Sequence, residues 1–84
     1  MTDALYASNI ELAAQHLGVM FRAARTYLDA PIQSIRDNAA MTVRVQARVL
    51  RTLSENSGDP NLAWAAGEAD IVIAQILTPR RVLQ

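Results

Sequence analysis

Cysteine and lysine are both missing from the 84 residues. Without cysteine there are no disulfides, no thiolate metal sites and no cysteine nucleophile. Without lysine, arginine is the only basic side chain, which reads first as codon usage in a GC-rich genome and only second as arginine-specific chemistry. Aromatic residues are few: Tyr6, Phe21, Tyr27 and Trp64 are the whole set. The formal net charge is zero, so no global field draws the chain to nucleic acid or to an anionic membrane. No run of about 18 apolar residues predicts a membrane-spanning helix. The start, with Thr2 and Asp3, lacks the basic-then-apolar layout of a signal peptide. A cytoplasmic location is the default expectation.

What is present is alanine and aliphatic side chains, which bring the apolar fraction to 51% and favour closely packed helices over strands. A chain of this length makes one domain, residues 1–84, near the size where a single core is only marginally sufficient. Two breaks divide it. Ser57-Gly58-Asp59-Pro60 supplies a helix stop, an N-cap acceptor and a proline at the first helical position. Ala30-Pro31 supplies the other, with Asp29 or Ala30 as the cap of the second helix. Three helices are expected, about 4–29, 31–56 and 60–77, then a stop at Thr78-Pro79 and a frayed tail over 78–84. The fold class is all-α: an antiparallel hairpin plus a shorter third helix, a three-helix bundle open to completion by oligomerisation. At Ala30-Pro31 a hairpin is favoured, but a long helix kinked by the proline is the alternative.

Apolar spacing assigns the faces. Tyr6, Ile10, Ala13, Leu17, Met20, Ala24 and Tyr27 alternate at four and three in the first helix, against an outer stripe of Ser8, Glu11, Gln15, Gly18, Arg22, Arg25 and Asp29. Leu12, Val19, Phe21 and Leu28 widen the apolar arc enough to touch two neighbours. The second helix is expected to bury Ile32, Ile35, Ala39, Val43, Ala47, Leu50 and Leu53, with Gln33, Asp37, Arg44, Arg48, Arg51 and Glu55 outside and Met41 and Val45 apolar among them. The third is apolar on almost every side. Leu62, Ala65, Ala66, Ala69, Val72, Ile73, Ile76 and Leu77 form a core stripe, while Trp64 and Ile71 share a different face with Ala63, Gly67 and Ala74. At 1.5 Å per residue the first two helices span about 37 Å and the third about 27 Å, so the third cannot cover the whole groove.

Chemistry-bearing constellations are scarce. His16 is the only histidine and has no carboxylate at helical spacing, so it makes neither a metal site nor a triad. Its plainest role is at the edge of the core, where a group titrating near neutrality could make assembly pH-dependent. Glu68 and Asp70, two apart in a helix, face different directions. No phosphate loop or nucleophile elbow is present. These readings point away from an enzyme and imply no cofactor, no metal and no small-molecule substrate. Arg44, Arg48 and Arg51 line one face at i, i+4 and i+7 and could grip an anion or an acidic surface. The plainer account is a solvated face that Asp37 and Glu55 partly neutralise.

The stretch Leu12-Ala13-Ala14-Gln15-His16-Leu17-Gly18-Val19 resembles the first helix and turn of helix-turn-helix DNA-binding domains. Ala14, Gly18 and Val19 fill the alanine, glycine and apolar places, and Ala24 and Tyr27 fall where a second helix would face the core. The resemblance covers residues 12–28 only. It implies a regulator whose Arg22, Arg25 and Thr26 point from the recognition helix toward the major groove. Met20 and Phe21 stand where a polar cap and a DNA-facing residue are usual, and the apolar stripes on either side of Gly18 stay in phase.

The leading expectation is therefore a small interaction module, acting as a homo-oligomer, adaptor or inhibitor subunit. Its protein interface is assigned to Trp64, Gly67, Ile71 and Ala74, with Met41 and Val45. The competing packing encloses Trp64 against Met41 or Val45. DNA binding through Arg22, Arg25 and Thr26 is the alternative function, and a lipid-surface helix, lacking a basic rim, is the weakest.

Overall fold

The computed structural model describes the backbone of residues 2–77 and the side chains from residue 9 onward. The Tyr6 and Ser8 side chains, the Thr78-Pro79 stop and the tail over 78–84 lie outside the described residues. The chain forms α1 (Thr2–Asp29), α2 (Gln33–Ser57) and α3 (Pro60–Val72), and α3 runs on into a π-helical turn, Ile73–Leu77. This is the all-α three-helix bundle expected, elongated to 53 × 26 × 14 Å. α1 and α2 share the most contact, α3 lies mainly on α2, and α1 meets α3 least.

Ala30-Pro31 is a hairpin turn. Thr26 carbonyl accepts the Ala30 N–H at 2.8 Å, and Ile32 is extended at φ −96°, ψ 127° before α2 begins. His16 meets Gln46 and Tyr27 meets Arg36 across the pair, a falling register that only antiparallel helices give. Neither Asp29 nor Ala30 caps α2, contrary to expectation. The N-cap position is Ile32, with no side-chain cap, and the Asp29 carboxylate accepts from Arg25 Nε instead, at 2.8 Å. Pro31 holds its predecessor out of the helical region, which ends α1 at Asp29, and the extended backbone of Ile32 sets the start of α2 at Gln33.

The second break is built as expected. Gly58 is left-handed at φ +67°, and its N–H closes α2 on the Ser54 carbonyl. One Asp59 carboxylate oxygen accepts the backbone N–H of Asn61 (2.8 Å) and Leu62 (3.3 Å), and Pro60 opens α3. The other oxygen accepts from Asn9 Nδ2 at 3.2 Å. Burial alone would raise the Asp59 pKa, but these hydrogen bonds outweigh it and hold the carboxyl below its ordinary value. The Asn9 bond also ties α1 to the loop that opens α3.

Met20, Val43, Leu50 and Leu62 are the largest fully buried side chains, at least one from each helix. Alanines 13, 24, 40, 47, 65, 66 and 69 fill the space between them. No charged or polar residue is buried among those described. In α2, two expected core residues are not in the core: Ile32 and Ile35 are exposed. Carried through the His16–Gln46 and Arg51–Asp70 contacts, Leu77 falls level with the middle of α1, so α3 as described ends well short of the hairpin turn. The isoleucines at that end, with Leu28 beside them, have no third helix over them among the described residues.

Candidate protein-binding surface

In α3, the side chains of Leu62 and Ala69 point into the bundle and are almost wholly buried. At about 100° per residue, Trp64 and Ile71 project within about 20° of each other on the opposite side. They are 63% and 48% exposed. Gly67 lies between them, and a Cβ there would meet nothing within 4 Å. Ala63 and Ala74 are also exposed on this side. Asp70 flanks the patch on the α2 side and is ion-paired to Arg51, while Glu68 flanks it on the α1 side, half-buried. Trp64 is therefore not enclosed against Met41 or Val45.

The patch continues onto α1 through residues whose apolar spacing assigns them to the core. Ile10 and Phe21 are 42% and 47% exposed, and Leu28 is exposed as well. Ile10, Phe21 and Leu28 are eleven and seven residues apart and project in nearly one direction. His16 and Tyr27, which meet α2, lie about 100° round from that direction, so the stripe sits on the α3 side of α1. Phe21 and Ile10 thus belong to the candidate surface. The in-phase recurrence of Ile10, Phe21 and Leu28 is the signal that could have found them.

Met41 and Val45 do not belong to it. Both are exposed, but they line a shallow depression of about 450 Å³ with Asp37, Ala40, Arg44 and Arg48, all on α2. The Arg51–Asp70 pair fixes the register of α2 against antiparallel α3. Met41 lies ten residues before Arg51 and Trp64 six before Asp70, which separates their levels by about 24 Å at 1.5 Å per residue. The six residues assigned to one interface are two patches on different helices.

The arginine stripe is placed as expected, with Arg44, Arg48 and Arg51 exposed along α2. Arg51 is committed to Asp70, whose hydrogen bond holds its pKa above even the usual guanidinium value. Arg44 and Arg48 have no ion pair among the described residues. Arg44, Ala47, Arg48 and Arg51 also face Asp70 and Ile73 across the α2–α3 groove.

Helix-turn-helix geometry does not form. α1 is one unbroken helix from Thr2 to Asp29, and Gly18 has no positive φ. A single glycine costs a helix about 1 kcal/mol, too little to break one whose apolar stripe is continuous on both sides. Arg22, Arg25 and Thr26 are exposed on that helix, and Arg25 is paired with Asp29. His16 sits half-buried with Nδ1 donating to Gln46 Oε1 at 2.6 Å, an edge-of-core contact between α1 and α2. Among the described residues there is no cluster of three or more potential metal ligands, and no helix is long and apolar enough to cross a membrane.

No protein-family model, curated protein or solved structure matches this chain.

Proposed function

We propose that this chain is a non-enzymatic interaction module that docks a protein through the outer face of α3, with Trp64 and Ile71 as anchors and Gly67 as the point of closest approach. One observation carries the reading: the single tryptophan, 63% exposed, shares a helical face with Ile71 and with a glycine that nothing in the bundle requires. Tryptophan is enriched among residues that dominate interface energies. A helical glycine with open space above it costs about 1 kcal/mol relative to alanine, and close approach of another backbone gives that cost a use. Phe21 and Ile10 extend the apolar surface across α1.

The test is the double substitution Trp64→Ala, Ile71→Ala. Truncating buried Trp and Ile would cost about 3–5 and 2–5 kcal/mol, enough to unfold so small a domain. If the face is a docking surface, the dilute variant keeps its helicity and loses no more than about 1 kcal/mol of stability. Cooperative unfolding of the monomeric variant would overturn the reading.

A further inference from the structure

Resting on that reading, we infer that the protein docked on the α3 face is a second copy of this chain, packed antiparallel. The observation is a size pattern. Trp64, Gly67, Ile71 and Ala74 succeed one another at spacings of three, four and three, alternating large and small. The spacing is the same read in either direction. Reversed, the order large-small-large-small becomes small-large-small-large. Two antiparallel copies therefore set Ile71 over Gly67 within the α-helical part of α3, and Trp64 over Ala74, which is exposed at the start of the π-helical turn, each large side chain into the gap above a small one. These are the a and d positions of a coiled-coil seam, and antiparallel helices pair a with d. A parallel pair would set tryptophan on tryptophan and glycine on glycine, leaving a clash and a void at successive levels.

The area is consistent with this occupant. At roughly 150–250 Å² per aromatic side chain, the exposed parts of Trp64, Ile71, Phe21 and Ile10 come to roughly 400 Å² per copy. Two copies hide about twice that before any alanine or glycine is counted, below the roughly 1,200 Å² of stable specific interfaces and in the range of weak, reversible ones.

Charge on the face gives a further signature. Asp70 is neutralised by Arg51 of its own copy, so Glu68 is the one uncompensated charge of α3. The two-fold brings the two Glu68 side chains to the same flank, where salt screens their repulsion. Self-association should tighten as salt rises, whereas a basic partner would be lost.

The chain has no cysteine, so single cysteines report the pairing directly. Full-length Gly67→Cys and Ile71→Cys chains are mixed and oxidised, and molar mass is measured by light scattering over a concentration range. The expected result is a monomer–dimer equilibrium in the native chain and a disulfide mainly between position 67 of one chain and 71 of the other. In addition, Gly67→Gln should abolish the dimer with helicity unchanged or increased, because its side chain fills the seat of Ile71 while meeting nothing in its own bundle. Predominant 67–67 and 71–71 links would overturn the antiparallel pairing. A native chain that stays monomeric at every concentration with Trp64 exposed would overturn the second copy, while the docking face would then await a different protein. A monomer with Trp64 shielded would overturn both.

Discussion

Alanine substitution at Gly18 and Gly67 tests whether α1 and α3 are the plain helices described, and its outcome can be worked from the structure. Neither glycine has a positive φ. A Cβ at Gly18 would sit 3.6 Å from Arg22 Nη1, an ordinary contact with a flexible side chain, and one at Gly67 would meet nothing within 4 Å. Each change removes the excess chain entropy of glycine, worth about 0.5–1 kcal/mol, with no steric charge against it. In a domain of this size each should raise Tm by about 3–8 °C. The two sites share no neighbours, so the gains should add. Urea titration followed by helical circular dichroism, at concentrations low enough to keep the chain monomeric, measures both, with unchanged m-values. Gly67→Ala should at the same time weaken any association through the α3 face. A stability loss in Gly18→Ala would refute the reasoning for α1, because only a turn or a close backbone approach at Gly18 makes alanine costly.

Other expectations rest on the same contacts. Leu50→Ala, at a position with no exposure, should cost about 2–5 kcal/mol, read as a drop in the urea midpoint; a change under about 1 kcal/mol would mean that α2 does not pack as described. Asp59 has a depressed pKa, so its stabilising effect is complete above the ordinary carboxylate value near 4. That effect is lost as pH falls below that value through the lower folded-state pKa. Asp59→Asn should therefore retain the cap at neutral pH while flattening the fall of Tm between about pH 4 and 2; an unchanged acid slope would rule out Asp59 as its source. Arg51→Ala should leave stability at neutral pH almost unchanged, because its ion pair with Asp70 is half-exposed on both sides; a large loss in thermal melts would make the pair a true clasp. With α1 unbroken, the native chain and Arg22→Ala, Arg25→Ala should be indistinguishable in duplex-DNA titrations at low salt, and tight binding lost in the variant would reinstate a nucleic-acid role.

Local signals in this sequence are legible where one residue type has one conformational job. Gly58, Asp59 and Pro60 each do what their chemistry favours, and the antiparallel register of α1 and α2 comes from a turn too short for anything but a hairpin once Pro31 interrupts the helix. The exposed Trp64–Ile71 face is legible because both residues fall outside a core stripe that is already complete. What fails is the assignment of isoleucine and phenylalanine to the interior by type. Ile32 and Ile35 are in phase with the α2 core, but burial also needs a neighbour, and α3 as described stops short of them. Ile10 and Phe21 lie at the edge of the α1 arc, where only the position of α3 decides whether they are covered. Met41 and Val45 are apolar on the outer half of α2, but apolar spacing within one helix records direction and no depth relative to another, and the Arg51–Asp70 register supplies the missing coordinate. A turn at Gly18 rests on analogy, whereas the continuous stripe around it already favours a helix.

Whether the outer face of α3 is a surface made to be covered by another chain is read most directly from Trp64, the only tryptophan. Its emission and its quenching by acrylamide can be followed as the native chain is concentrated from sub-micromolar levels. A red-shifted, freely quenched tryptophan is expected in the dilute monomer, becoming blue-shifted and protected as the antiparallel pair forms. A blue-shifted, protected Trp64 in the dilute monomer would contradict the docking face itself.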